Sequence, residues 1–134
     1  MTIGNIITLY DSLKEPEAKD LVANAYGCSR GVFYNYMETI RVLRNKCAHG
    51  GCIYRMDFPK GIKRLPADIS ADCRHNIKGG IDVVRYLLGC ISQARKADLE
   101  NGIHHLLTLS RHLKLKKSWH RLLKLNVETY YLAG

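Results

Sequence analysis

Apolar side chains recur at intervals of three and four along most of this chain, in runs separated by short polar or glycine-bearing breaks. Ile3, Ile6, Leu9 with Tyr10, and Leu13 form one such stripe, which predicts an amphipathic first helix. Pro16 follows Glu15 and suits a first helical turn, so a second helix starts there. Leu21, Val22 and Ala25 are its expected buried face, and Gly27 is its expected stop. Ser29 is a natural N-cap for a longer helix over about 30–49. Phe33, Tyr36, Met37, Ile40, Leu43 and Cys47 give that helix a clean apolar face at helical spacing, and Gly50-Gly51 ends it.

Residues 50–70 hold glycine, proline and basic side chains without a sustained period, so they predict a long loop anchored by Ile53 and Tyr54. Loops of this length in compact domains are often functional. Helical spacing returns near residue 75, where Ile77, Ile81, Val84, Leu87, Leu88 and Ile91 line up, although Gly79-Gly80 weakens the first turn. A charged break at Arg95-Lys96 precedes another helix through Leu99, Ile103, Leu106, Leu107 and Leu113. A last short helix is expected around Trp119, Leu122 and Leu123. No segment alternates with period two and no internal repeat is visible. The expected architecture is all-α: one domain over residues 1–134, a bundle of about five or six helices with one long loop.

Composition narrows the class. With 46% hydrophobic and 25% charged residues over 134 positions, the chain can bury a core and does not read as disordered. No apolar run approaches the roughly 18 residues that span a bilayer, and the start lacks the pattern of a signal peptide. The expected compartment is the cytoplasm, with no membrane partner. Five cysteines without CxxC spacing read as reduced, buried thiols. Cys47, His49 and Cys52 lie close together, but structural zinc sites use two spaced ligand pairs and no second pair is evident. Neither a metal nor a cofactor is expected.

Charge changes the picture more. The net charge is +9, yet residues 1–38 carry three basic and five acidic side chains, while residues 39–134 carry 18 basic and seven acidic. So uneven a distribution points to a polyanionic partner that touches one part of the molecule, and charge does not separate RNA from DNA or from an anionic membrane surface. Residues 101–127 contain no acid, and Lys114, Lys116 and Lys117 within them can track a phosphate backbone. Trp119 fits either the core or a platform on which a base stacks.

The most informative stretch is Leu43-Arg44-Asn45-Lys46-Cys47-Ala48-His49. It resembles the signature of the Abi-like (abortive-infection) family, part of the wider HEPN superfamily, whose mark is an arginine followed four to six residues later by a histidine. Upstream, Gly4–Tyr10, Ala23–Gly27 and Val32–Leu43 resemble the family's preceding helices, and Ile53-Tyr54 resembles its aromatic pair after the histidine. The resemblance covers residues 4–56 and corresponds to the C-terminal portion of longer Abi-like chains. Cys52 and Arg55 stand where the family commonly shows an arginine and an asparagine.

The resemblance implies a HEPN-like bundle and metal-independent RNA cleavage, in which the 2′-hydroxyl attacks the neighbouring phosphorus. In that chemistry His49 moves a proton, Arg44 binds the charged phosphate oxygens, and Asn45 orients one or the other. Arg41, Lys46, Tyr54 and Arg55 are the expected RNA contacts nearby. One titrating side chain cannot serve as both base and acid, so a homodimer with a composite site is expected. An antitoxin or a separate N-terminal chain is a further candidate partner, and phage defence or a toxin-like role the expected setting. The alternative is a catalytically inactive HEPN-fold module that binds RNA or another protein.

Geometry bears on the same residues independently. Positions five apart on a continuous helix point about 140° away from each other. Gly50-Gly51 ends the helix and is expected to let the imidazole swing back towards Arg44. A purely structural account has His49 capping the last carbonyls and Arg44 bonding an acid such as Asp11 or Glu38.

Overall fold

A computed structural model of the protein describes residues 2–53 and 56–112. Among these residues the chain is all-helical, with helices α1 (Ile3–Ser12), α2 (Pro16–Ala25), α3 (Arg30–Ala48), α4 (Ile77–Ile91) and α5 (Gln93–His112). A single 3-10 turn, Ala71–Cys73, precedes α4. The short helix expected around Trp119 lies outside the described residues. No helix among the described residues is long and apolar enough to cross a membrane.

Most of the helix ends have a local cause, although Ser29, which occupies the N-cap position of α3, makes no side-chain cap bond. The Thr2 hydroxyl accepts from the Asn5 backbone N–H at the start of α1, and Pro16 opens α2. After α2, Gly27 turns left-handed (φ 61°), its N–H donating to Asn24 O and that of Cys28 to Ala23 O. These two bonds close a Schellman cap, satisfying carbonyls that the helix leaves orphaned. Asn76 caps α4, its side-chain oxygen accepting from the N–H groups of Lys78 and Gly79. The break before α5 falls at Ser92 rather than at Arg95-Lys96. Ser92 is extended (φ −159°) and its hydroxyl accepts from the Arg95 N–H, so a polar cap restarts the helix three residues earlier than the charge pattern implied.

The core forms where α1, α2 and α4 pack on α3. Phe33 meets Tyr10 edge-on (centroids 5.2 Å apart) and stacks on Tyr26 (5.1 Å), while Tyr36 meets Tyr86 of α4 edge-on. Tyr10 donates to Lys19 O, and Asp20 forms a two-bond ion pair with Arg30, so the middle of α2 is tied to both α1 and α3. The contact surface of α2 is small. Ala23 is fully buried, whereas Leu21 is 74% exposed and Val22 and Ala25 also face solvent. The expected face was therefore the wrong one, because a helix that approaches closely does so through its smallest side chain. Cys47, Cys52 and Cys90, also expected to be buried, are exposed.

The long segment between α3 and α4 is packed rather than loose. Met56, Phe58, Ile62 and Ile69 are buried in it, while the expected anchor Ile53 is 37% exposed. Its backbone pairs with the approach to α4, Phe58 N–H to His75 O and Ile62 N–H to Arg74 O. Asn35 of α3 clamps the same stretch, donating to Gly61 O and accepting from the Lys63 N–H. Tyr36 accepts from the Ala67 N–H. The loop is thus tied to the middle of α3, with four apolar side chains contributed to the core.

Beside this core runs an open apolar cavity of about 610 Å³ between α1, α3 and α4, with Ile6, Leu9, Met37, Ile40, Leu88 and Ile91 among its walls.

Candidate functional site

The C-terminal end of α3 carries the motif. Leu43 is half-buried towards α4, and beyond it the helix leaves the bundle: Arg44, Lys46, Cys47, Ala48 and His49 are all exposed. His49 is the C-cap, with near-helical angles (φ −90°, ψ 12°), and its N–H donates to Asn45 O at 3.1 Å. Gly50 then turns left-handed (φ 63°). Its N–H donates to Cys47 O, and that of Gly51 donates to Lys46 O, which repeats the cap seen after α2. The reversal comes after His49, so the glycines do not swing the imidazole back.

Asn45 supplies the connection instead. It lies four residues before His49 and hence on the same helical face, where side chains start about 5–6 Å apart. Arg44 Nη1 donates to Asn45 Oδ1 at 3.2 Å, which draws the guanidinium round towards that face. This contact answers the structural account of Arg44, since its partner is Asn45 and neither Asp11 nor Glu38. Glu38 is occupied by Arg41, whose Nε and Nη2 both bond its carboxylate, with Nη2 to Oε2 at 2.7 Å. That pairing raises the Arg41 pKa, first through the hydrogen bond and then through the carboxylate's charge. Arg41 therefore meets any phosphate as half of an ion pair, and the (i, i+3) spacing of Glu38 and Arg41 was the signal for it.

The other expected contacts divide. Lys46 is exposed, and its aliphatic stem lies over Gly51, where a β-carbon would stand 2.8 Å from Lys46 Cδ. Tyr54, Arg55, Lys114, Lys116 and Lys117 lie outside the described residues. The His49 imidazole makes no hydrogen bond among the described residues. Also among these, no group of three His, Cys, Asp or Glu side chains is placed to hold a metal ion.

A family model described as Abi-like protein matches residues 1–55. Over this segment the chain is similar to the Abi-like family. The segment contains α1, α2 and the whole of α3, so the Abi-like stretch includes Arg44, Asn45, His49 and the glycine stop. The α4 helix, against which the Abi-like helices pack, lies beyond the match. No curated protein and no solved structure matches the chain.

The cap sets a limit on substitution. A β-carbon at Gly50 would meet nothing within 4 Å, so any cost there is conformational alone. Gly50→Ala is expected to lower stability by about 1 kcal/mol, as a left-handed L-residue does, read as a drop in urea midpoint. An unchanged midpoint would mean that the chain does not depend on this turn.

Proposed function

We propose that this protein is a metal-independent endoribonuclease of HEPN type, acting in phage defence or a toxin-like role through Arg44, Asn45 and His49. The observation that carries the reading is the exposed end of α3 within the Abi-like segment. There Arg44 Nη1 donates to Asn45 Oδ1, and His49 follows Asn45 by one helical turn. The guanidinium fork suits the charge that develops on phosphate oxygens, and imidazole suits proton transfer near neutral pH. The deciding assay incubates the purified protein with mixed single-stranded RNAs in EDTA and looks for cyclic phosphate ends. RNA that is bound but left whole would favour the inactive RNA-binding module instead.

The site needs a second proton-transfer group, and the imidazole has no partner among the described residues of its own chain. A homodimer pairing two α3 ends would supply one, and the open apolar cavity beside Met37 and Ile40 offers surface for such pairing. Sedimentation is expected to give a dimer at micromolar concentration. A monomer that still cuts RNA would remove the composite site from this reading.

A further inference from the structure

Outside the α3 end, one other place brings an arginine and a histidine together. Arg74 and His75 lie just before α4, and each is braced by a backbone carbonyl of the facing loop. Arg74 Nε donates to Ile62 O at 2.9 Å, and His75 Nδ1 lies 2.8 Å from Phe58 O. A carbonyl can only accept, so Nδ1 carries the proton, while Nε2 lies beside Gly61.

Both side chains end at the same spot. A β-carbon built on Gly61 would lie 3.1 Å from His75 Nε2 and 3.3 Å from Arg74 Nη2. The two nitrogens are therefore separated by less than the sum of those distances. One phosphate bridges such a span through charge-assisted bonds of about 2.8 Å each. Gly61, left-handed at φ 63°, has no side chain to push the two tips apart.

Ion pairs occupy four other arginines among the described residues, whereas Arg64, like Arg74, bonds a backbone carbonyl. Arg30, Arg41, Arg85 and Arg95 all bond carboxylates. Among the described residues, no carboxylate bonds Arg74 or His75, and the two terminal nitrogens of Arg74 make no hydrogen bond. Lys60 and Lys63 flank Gly61 and are exposed. His75 is also exposed, and Arg74 is half-buried, so a ligand reaches the pair from solvent.

We propose that Arg74 and His75 form a second phosphate-binding site, one that seats a phosphodiester of the RNA strand. This rests on the RNA-directed reading above but not on cleavage. The Arg74 fork takes two phosphate oxygens, and the imidazolium form of His75 donates from Nε2 to a third. The turn bonds to Asn35, which precedes His49 by about 21 Å of helix axis at about 1.5 Å per residue. A strand lying along α3 would touch both places, with this one positioning the RNA and the helix end facing the bond to be cut.

The test measures binding of a short fluorescent single-stranded RNA in EDTA, with every protein in a His49→Ala background so that the probe stays whole. Arg74→Gln and His75→Asn are compared with this parent. The asparagine amide nitrogen stands near the place of Nδ1 and can keep the bond to Phe58 O. Each variant is expected to weaken binding about tenfold, and Arg74→Gln to reduce the slope of log K against log salt by about 0.7. Folded variants with unchanged Kd and slope overturn the proposal. Should Arg74→Gln melt early, His75→Asn decides the matter by the same criterion.

Inorganic phosphate serves as competitor. If it displaces RNA at concentrations equal to the RNA phosphates, the pair reads a free phosphate, and the assignment to RNA is wrong. Cleavage assays in protein that retains His49 separate the two readings. A chain that binds RNA through Arg74 and never cuts it keeps this site while the nuclease reading falls. One that cuts with the same KM whether or not Arg74 and His75 are replaced loses this site alone.

Discussion

His49→Ala is expected to lower RNA cleavage in EDTA by at least about 100-fold, the lower bound for losing a general acid or base. That factor corresponds to about 2.7 kcal/mol of transition-state stabilisation. Arg44→Ala is expected to cost a similar factor, and Arg44→Lys to recover little of it, since a lysine ammonium has no planar fork for two phosphate oxygens or for Asn45 Oδ1. Neither change should move the melting temperature, because both side chains are exposed and bond no core residue. Equal cleavage by wild type and His49→Ala would show that another group moves the proton. A parallel fall in melting temperature would mean that the loss came from unfolding.

The second large effect concerns Gly79. On helical propensity alone, replacing a mid-helix glycine by alanine stabilises by about 1 kcal/mol. At Gly79 the sign reverses. The residue is buried in the first turn of α4, and a β-carbon there would collide with the Cys73 carbonyl oxygen and crowd Ile62 Cδ1. The carbonyl belongs to the 3-10 turn, itself tied to α4 by the Asn76 N–H donating to Cys73 O, so it cannot retreat cheaply. Gly79→Ala is expected to cost about 3 kcal/mol, at the upper end for overpacking. Gly102 on α5 is the matched control: it is exposed, nothing lies within 4 Å of its β-position, and Gly102→Ala should gain about 1 kcal/mol. Urea denaturation of the two variants measures both. Two shifts of the same sign would refute the packing argument.

These glycines mark where sequence reasoning reaches its limit. Punctuation was legible: Pro16, Gly27 and Gly50 each sit where the periodic runs stop, and each acts through its own backbone. The class and the long stripe of α3 were legible too, because burial on one side of a helix imposes a period. Long-range contacts left weaker traces. Gly79-Gly80 looked like a flaw in α4, whereas the pair makes room for Cys73 and for Phe58, a loop side chain with no periodic neighbours. Leu21 and Val22 looked buried because they are apolar, yet α2 docks through Ala23. At the site, Arg44, Asn45 and His49 stood out by type and spacing. Their connection through Asn45 was not visible, because it depends on how one guanidinium folds over the next side chain. Arg74 and His75 left no signal at all, since their shared position comes from the pairing of two loop segments.

The way α3 projects past Leu43 has an evolutionary consequence. Its final turn, from Arg44 to His49, contributes almost nothing to the core, so exchanges of its side chains fall among surface changes worth within about 0.5 kcal/mol. Selection for folding therefore does not protect those side chains. A lineage that loses its target keeps a sound bundle while Arg44 or His49 drifts. A descendant can regain the pair by single substitutions on a scaffold that never fell apart.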